Sequence, residues 1–129
     1  MRLLHTRGLC LLVLNEPNEA LLLAEEGVQL AEKHGVRKYV ALNHELKSIA
    51  LANLGRADEA IEAAMTAIPL ADEIQYQPIR WASRQQLAEL YHQKGRGQEA
   101  KKRSSEAKHI IETIATTYRR RKSASCIFK

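Results

Sequence analysis

The 129 residues carry a formal net charge of +5, with 45% hydrophobic and 27% charged residues, which is ordinary for one globular domain with a modest core. No apolar run approaches the roughly 20 residues that a membrane-spanning helix needs. The first residues lack the pattern of a signal peptide, so we expect a cytoplasmic protein without a membrane partner. The two cysteines, Cys10 and Cys126, are far apart in the sequence and indicate free thiols rather than a disulfide framework.

Apolar residues recur at steps of three and four along most of the chain, which predicts six amphipathic helices and no strand. Numbered in chain order, the predicted helices are α1 over residues 2–14, α2 over 17–34, α3 over 38–54, α4 over 57–74, α5 over 78–94 and α6 from 97 to about 118. Pro69 lies inside α4 and lacks the amide that would bond to the carbonyl of Met65. We therefore predict a kink or a break between these two residues.

The junctions between the helices recur at a fixed spacing. Glu–Ala pairs occupy positions 19–20, 59–60 and 99–100, which are 40 residues apart. Each pair closely follows a residue that tolerates the left-handed conformation of a helix end, namely Asn15, Gly55 or Gly95. Gly35 is expected to end α2. Three copies at one spacing predict a helical repeat array. We expect an all-α fold, a right-handed α-solenoid of three helix–turn–helix repeats with six antiparallel helices. The repeats cover about residues 1–37, 38–77 and 78–118, and residues 119–129 form a basic, disordered tail.

Positive charge is concentrated at the C-terminal end. From Lys94 onward there are 11 basic and 3 acidic residues, so the rest of the chain is slightly acidic. Such an end can contact nucleic acid or an acidic partner, or it can be a solvated helix face and tail. Aromatic residues are not interleaved with the basic ones, and Tyr118 alone borders the basic run 119–122, which argues against nucleic acid as a partner.

Residue types that carry catalysis or bind metals do not fall at the spacings that such chemistry needs. His44–Glu45 could begin a zinc-protease motif, but Ser48 replaces the second histidine. Cys10 lies in an apolar run and is expected in the core, and Trp81 is expected to pack rather than to stack on a ligand. We therefore predict no enzyme activity, no catalytic residue, no cofactor and no metal.

The array resembles the tetratricopeptide (TPR) repeat family. The small residues that allow close helix packing in that family match Gly8, Ser48 and Ala88 in the first helices, and Ala20, Ala60, Ala100, Gly27, Ala67 and Ala107 in the second helices. The resemblance covers the chain to about residue 114. The period is 40 residues rather than 34, which is similar to the longer repeats of regulators of the maltose-regulon-activator type and of signalling ATPases and cyclases. HEAT-like repeats, with periods of about 40 residues, are the structural alternative.

In TPR arrays the first helices of the repeats line a concave groove, and the resemblance assigns the groove positions of this chain. They are His5, Leu9, Leu12, Leu42, Glu45, Ile49, Asn53, Gln85, Glu89 and His92. The lysine–asparagine clamp that some family members use for a peptide carboxylate is absent. The groove therefore suits an amphipathic helix or an extended segment with an apolar anchor and a basic or polar residue for Glu45 and Glu89.

Three hypotheses for the function remain open. The first is a protein–protein interaction scaffold that binds a peptide or partner helix in the groove, as the regulatory or sensor part of a larger signalling or transcription-control system. The second is homo-oligomerisation through α1, because α1 presents more apolar residues than one hairpin partner can cover. Either a second copy or a preceding part of a longer array would cover them. The third is nucleic-acid contact through the basic end, which would weaken steeply with salt.

Overall fold

The computed structural model describes residues 2–127, with side chains described through residue 122. In this part of the chain six α-helices follow one another without a strand: Arg2–Val13, Pro17–His34, Arg37–Asn53, Ala57–Ile74, Gln77–Gln93 and Gly97–Ile127. These are the predicted helices α1 to α6, and the predicted all-α repeat fold is confirmed. Apart from the end of α6, every helix begins and ends within one residue of its predicted position.

Helix α6 is longer than the sequence predicted, since it continues to Ile127 instead of ending near Tyr118. No glycine or proline interrupts residues 98–127, so the backbone has no local reason to leave the helix at Tyr118. The hydroxyls of Thr116 and Thr117 donate to carbonyls four residues back and need no other partner. The segment predicted as a tail therefore starts as a continuation of α6, with residues 119–122 exposed.

Pro69 does not break α4. The helix continues as one element from Ala57 to Ile74, so the predicted break is wrong, and a bend without a break remains a prediction. Pro69 is exposed, whereas Ile68 and Ala71 beside it are buried. Packing on the core side thus holds both parts of the helix in place across the missing amide bond.

All five junctions use the same helix-ending turn. One residue in each junction has a positive φ between 55° and 78°: Asn15, Gly35, Gly55, Gln75 and Gly95. The next amide then bonds to the carbonyl five residues earlier, as from Arg56 N to Leu51 O at 2.9 Å. Four of these residues are the glycines and the asparagine that the sequence suggested. Gln75 is the exception, because glutamine, unlike glycine or asparagine, is strained in this conformation.

The helices pack through small residues at the predicted positions. Ala20, Ala60 and Ala100, near the start of each second helix, are buried. The hydroxyl of Ser48 donates to the carbonyl of Ala60 at 2.8 Å and so joins α3 to α4. A Cβ at Gly8 would lie 2.4 Å from Cδ2 of Leu46, and α1 and α3 therefore depend on the missing side chain for their close approach.

Helix α5 packs across the α3–α4 hairpin at two points. Near its start, Ile79 lies in a cluster with Ala41 and Ala71. Two turns later, Leu87 lies in a cluster with Ile68. Ala41 belongs to α3, whereas Ala71 and Ile68 belong to α4. Helix α5 therefore packs in the groove between the two helices of the preceding hairpin.

Ionic side chains tie α4, α5 and α6 together. Arg84, whose side chain is only 11% exposed, donates to Oδ2 of Asp72 at 2.8 Å, and its Nε lies 3.6 Å from Oε1 of Glu106. Arg80 donates to Asp72 as well, at 2.9 Å. The hydrogen bond from Arg84 is the main reason that the pKa of Asp72 lies below its usual value. Asp72 is therefore the acceptor on which this cluster depends.

The hairpins stack with their first helices on the inner side. Helix α1 packs against α3, and α3 against α5, whereas the backbones of the second helices α2, α4 and α6 stay apart within the described residues. Every helix packs only against helices that are adjacent or next but one along the chain. A stack that is closer on one side curves toward that side. We call this concave surface of α1, α3 and α5 the first-helix face.

Candidate functional site: the first-helix face

The groove positions of α1 and α3 include four aliphatic side chains. Leu9 is 43% exposed, and Leu12, Leu42 and Ile49 are half-buried. Leu12 and Leu42 pack against the core, and all four side chains leave part of their apolar surface in water. Covering that remaining surface is favourable by roughly 25 cal/mol for every Å² removed from water. These side chains are therefore suited to receive apolar residues of a partner.

Glu45 is the acidic residue among these aliphatic positions. It is half-buried, and burial raises its pKa from 4.5 to about 7. His5 occupies the corresponding position of α1, and burial lowers its pKa below the usual 6.5. Both side chains have lost water and are held toward their neutral forms. A cationic side chain that pairs with Glu45 would compensate for the lost hydration.

The groove positions of α5 have different surroundings. Gln85, Glu89 and His92 are exposed and line a cavity of about 710 Å³ together with Lys101 and neighbouring residues of α6. Asn53 is exposed at the end of α3. The ten predicted positions therefore divide into an apolar part around Glu45 and a polar part that opens toward α6.

The sequence did not predict a second apolar surface at the α5–α6 end of the stack. Trp81 of α5 and Ile111, Ile114, Ala115 and Tyr118 of α6 line an open cleft of about 500 Å³, which we call the Trp81 cleft. Trp81 is 38% exposed and Tyr118 is 65% exposed. The α6 residues of this cleft recur at steps of three and four in the sequence, and this pattern could have predicted the apolar surface. It was missed because Trp81 was expected to be covered and α6 was expected to end at Tyr118.

The outer side of α1, with the turn that follows it, is also apolar. Leu3, Val13 and Leu14 are 70%, 85% and 68% exposed. Cys10, which the sequence placed in the core, is exposed, so that prediction is wrong. Its apolar neighbours in the sequence do not bury it, because Cys10 lies at an open cleft that it lines with Leu22 and Leu23 of α2.

Two kinds of site are not found in the described residues. No three His, Cys, Asp or Glu side chains of this part are grouped so that they could hold a metal ion. Among the same residues, no helix combines the length and the apolar character needed to cross a membrane.

The fold has a counterpart among solved structures. The chain superposes on the crystal structure of the TPR domain of Arabidopsis FLU with a TM-score of 0.80 and 17% sequence identity, over 85% of this chain and 92% of that one. The fold is therefore that of a TPR domain. No family model matches the sequence, and no curated protein matches it significantly. Identity at this level shows a shared fold, so the function has to be argued from the residues of this chain.

Proposed function

We propose that this chain is a protein-interaction module that binds an amphipathic segment of a partner on the first-helix face. The observation that carries the proposal is the desolvated carboxyl of Glu45 among half-exposed aliphatic side chains. Apolar residues of the partner would cover Leu42 and Ile49, and a lysine or arginine between them would pair with Glu45. The TPR fold supports this assignment, because stacked repeats present extended concave surfaces.

The proposed pairing requires the ionised form of Glu45. Its pKa of about 7 means that the ionised fraction rises between pH 6 and pH 8. We expect the affinity for a segment with a central lysine or arginine to increase over the same interval. An otherwise identical segment with a neutral residue at that position should not show the increase.

Selection from a random peptide library on the full chain tests the proposal. The selected peptides are expected to combine apolar residues at helical spacing with a lysine or an arginine. Ile49→Arg should abolish their binding, and Glu45→Gln should weaken it about tenfold at pH 8. Leu22→Arg is the matched control, since it makes the same kind of change at a leucine of α2 that is 66% exposed. Equal losses in Ile49→Arg and Leu22→Arg would refute the proposal.

We further propose that such binding is regulatory, as part of a larger signalling or transcription-control system. Its basis is the resemblance of the 40-residue repeats to those of known regulators. Proteins captured from cell extract by the wild type and not by Ile49→Arg should then be signalling or transcription proteins. Capture of structural proteins alone would count against this role.

A second proposal is self-association through the outer side of α1, where Leu3 and Val13 are exposed, as is Leu14 in the turn after the helix. Light scattering at increasing concentration should show a dimer for the wild type and a monomer for Leu3→Glu/Val13→Glu. Because both side chains are exposed, the variant should keep its helical circular dichroism. A wild type that stays monomeric at every concentration would end this proposal.

A further inference from the structure

The α5–α6 end of the stack repeats the surface that α5 covers one hairpin earlier. Where α5 docks, Ile79 packs against Ala41 and Ala71, which we call the first seat. Leu87 packs against Ala64 and Ile68, which we call the second seat. The two docking residues are eight positions apart, which is about two helical turns.

Forty residues further along the chain the two seats have different chemistry. The first seat becomes Trp81 and Ile111, which remain apolar and open as part of the Trp81 cleft. The second seat becomes Ser104 and Lys108, which are both exposed. A helix that docks here as α5 does would therefore meet an apolar seat and then a cationic one.

Further positive charge lies beyond the first seat. Helix α6 extends past the start of α5, and residues 119–122, three arginines and a lysine, are exposed on the extension. Arg121 and Tyr118 line a cavity of about 300 Å³ that adjoins the Trp81 cleft. The cleft thus has cationic side chains on both sides along α6.

We propose that the Trp81 cleft is a second binding site, which takes an acidic amphipathic helix of a partner protein. The helix would lie across α5 and α6 as α5 lies across α3 and α4. It would place an apolar side chain between Trp81 and Ile111 and an acidic residue eight positions later at Lys108. Acidic residues ahead of the anchor would face residues 119–122.

Two other occupants fit the surface less well. A second copy that continued the array through its own α1 would bring Arg7, which corresponds to Leu87 by the 40-residue repeat, to Lys108. Like charges at that contact are unfavourable. Single-stranded nucleic acid binds preferentially where its bases can stack on aromatic side chains. Three of the five side chains that line the cleft are aliphatic, namely Ile111, Ile114 and Ala115.

Trp81 is the only tryptophan of the chain, so its fluorescence reports directly on the cleft. The probe is an acetylated, tryptophan-free peptide of about 20 residues, designed with two aspartates in its first turn, a leucine anchor and a glutamate eight positions later. Adding it to the full chain should give a saturable blue shift. Ile111→Glu should abolish the shift, whereas Ile49→Arg on the first-helix face should leave it unchanged.

Charge reversal gives the specific test. Lys108→Glu should weaken binding about tenfold, and a peptide with lysine in place of its glutamate should restore it. Absence of a saturable shift, or equal affinity for wild type and Ile111→Glu, would overturn the proposal. So would a Trp81 shift produced by oligothymidylate and not by the peptide, or one that appears on concentrating the chain alone.

Discussion

Gly27 and Asn43 form a tight contact between α2 and α3 whose energetics can be measured. A Cβ at Gly27 would lie 2.6 Å from Oδ1 and 2.8 Å from Nδ2 of Asn43. Asn43 is fully buried, and its Nδ2 donates to the carbonyl of Tyr39 at 2.8 Å. The short side chain therefore has no room to move away. Forty residues on, the corresponding positions hold Ala67 and Ser83, both fully buried.

Gly27→Ala should therefore lower the free energy of unfolding. Overpacking against Asn43 costs about 2 kcal/mol, and alanine recovers about 1 kcal/mol of helix propensity. The net loss is about 1 kcal/mol. Asn43→Ser alone should also cost about 1 kcal/mol, because it removes the bond to Tyr39 and leaves a void.

The two changes together should behave differently, because they recreate the alanine–serine combination of the next repeat. In the Gly27→Ala background, Asn43→Ser should stabilise by about 1 kcal/mol, which reverses its sign and gives a coupling of about 2 kcal/mol. Urea unfolding of the four proteins, followed by circular dichroism at fixed pH, measures each value. Effects that add to within about 0.5 kcal/mol would refute the steric reasoning.

Three further changes test other contacts. Glu45→Gln should stabilise the fold by on the order of 2 kcal/mol at pH 8 and change little at pH 4. A carboxyl with a pKa raised by burial to about 7 penalises folding increasingly as pH rises from 4.5 through 7; urea titrations at both pH values check this. Asp72→Asn should cost about 1–2 kcal/mol at pH 7 by depriving Arg84 of its main acceptor. Since the pKa of Asp72 is lowered in the fold, the cost should shrink as acid protonates the wild-type carboxylate. A cost at pH 3 as large as the cost at pH 7 would contradict this explanation. Gln75→Gly should raise the melting temperature by removing about 1 kcal/mol of strain at a positive φ, and Gly55→Ala should lower it; no change in either would contradict the assignment of strain.

The sequence predicted those features that local chemistry and repetition determine. Glycines at 35, 55 and 95 end their helices because glycine adopts a positive φ without strain. The 40-residue spacing then placed buried alanines such as Ala20 and Ala60 at the helix contacts. Gln75 carried no such signal. Its left-handed conformation accompanies the packing of Ile79 and Tyr76 with Ala71 on either side of the turn, which no single stretch of sequence reveals.

The sequence could not predict exposure at the ends of the stack. Cys10 and Trp81 both belong to helical stripes of the kind that become buried when another helix packs on them, and periodicity does not show whether one does. The groove positions followed from the family resemblance alone. The raised pKa of Glu45 could not be predicted from the sequence, because it results from burial among helices that meet only in the folded chain.

Because each helix packs only against adjacent and next-but-one helices, local opening should be graded along the molecule. Helices α3 and α4 have a hairpin on either side, so their amides should exchange with solvent most slowly, and protection should fall toward both termini. The first-helix face is therefore stiffest around Glu45 and Ile49. A partner that contacts Leu9 or His92 binds to helices whose backbone opens more readily. Binding there would reduce local opening at the ends of the array and slow amide exchange.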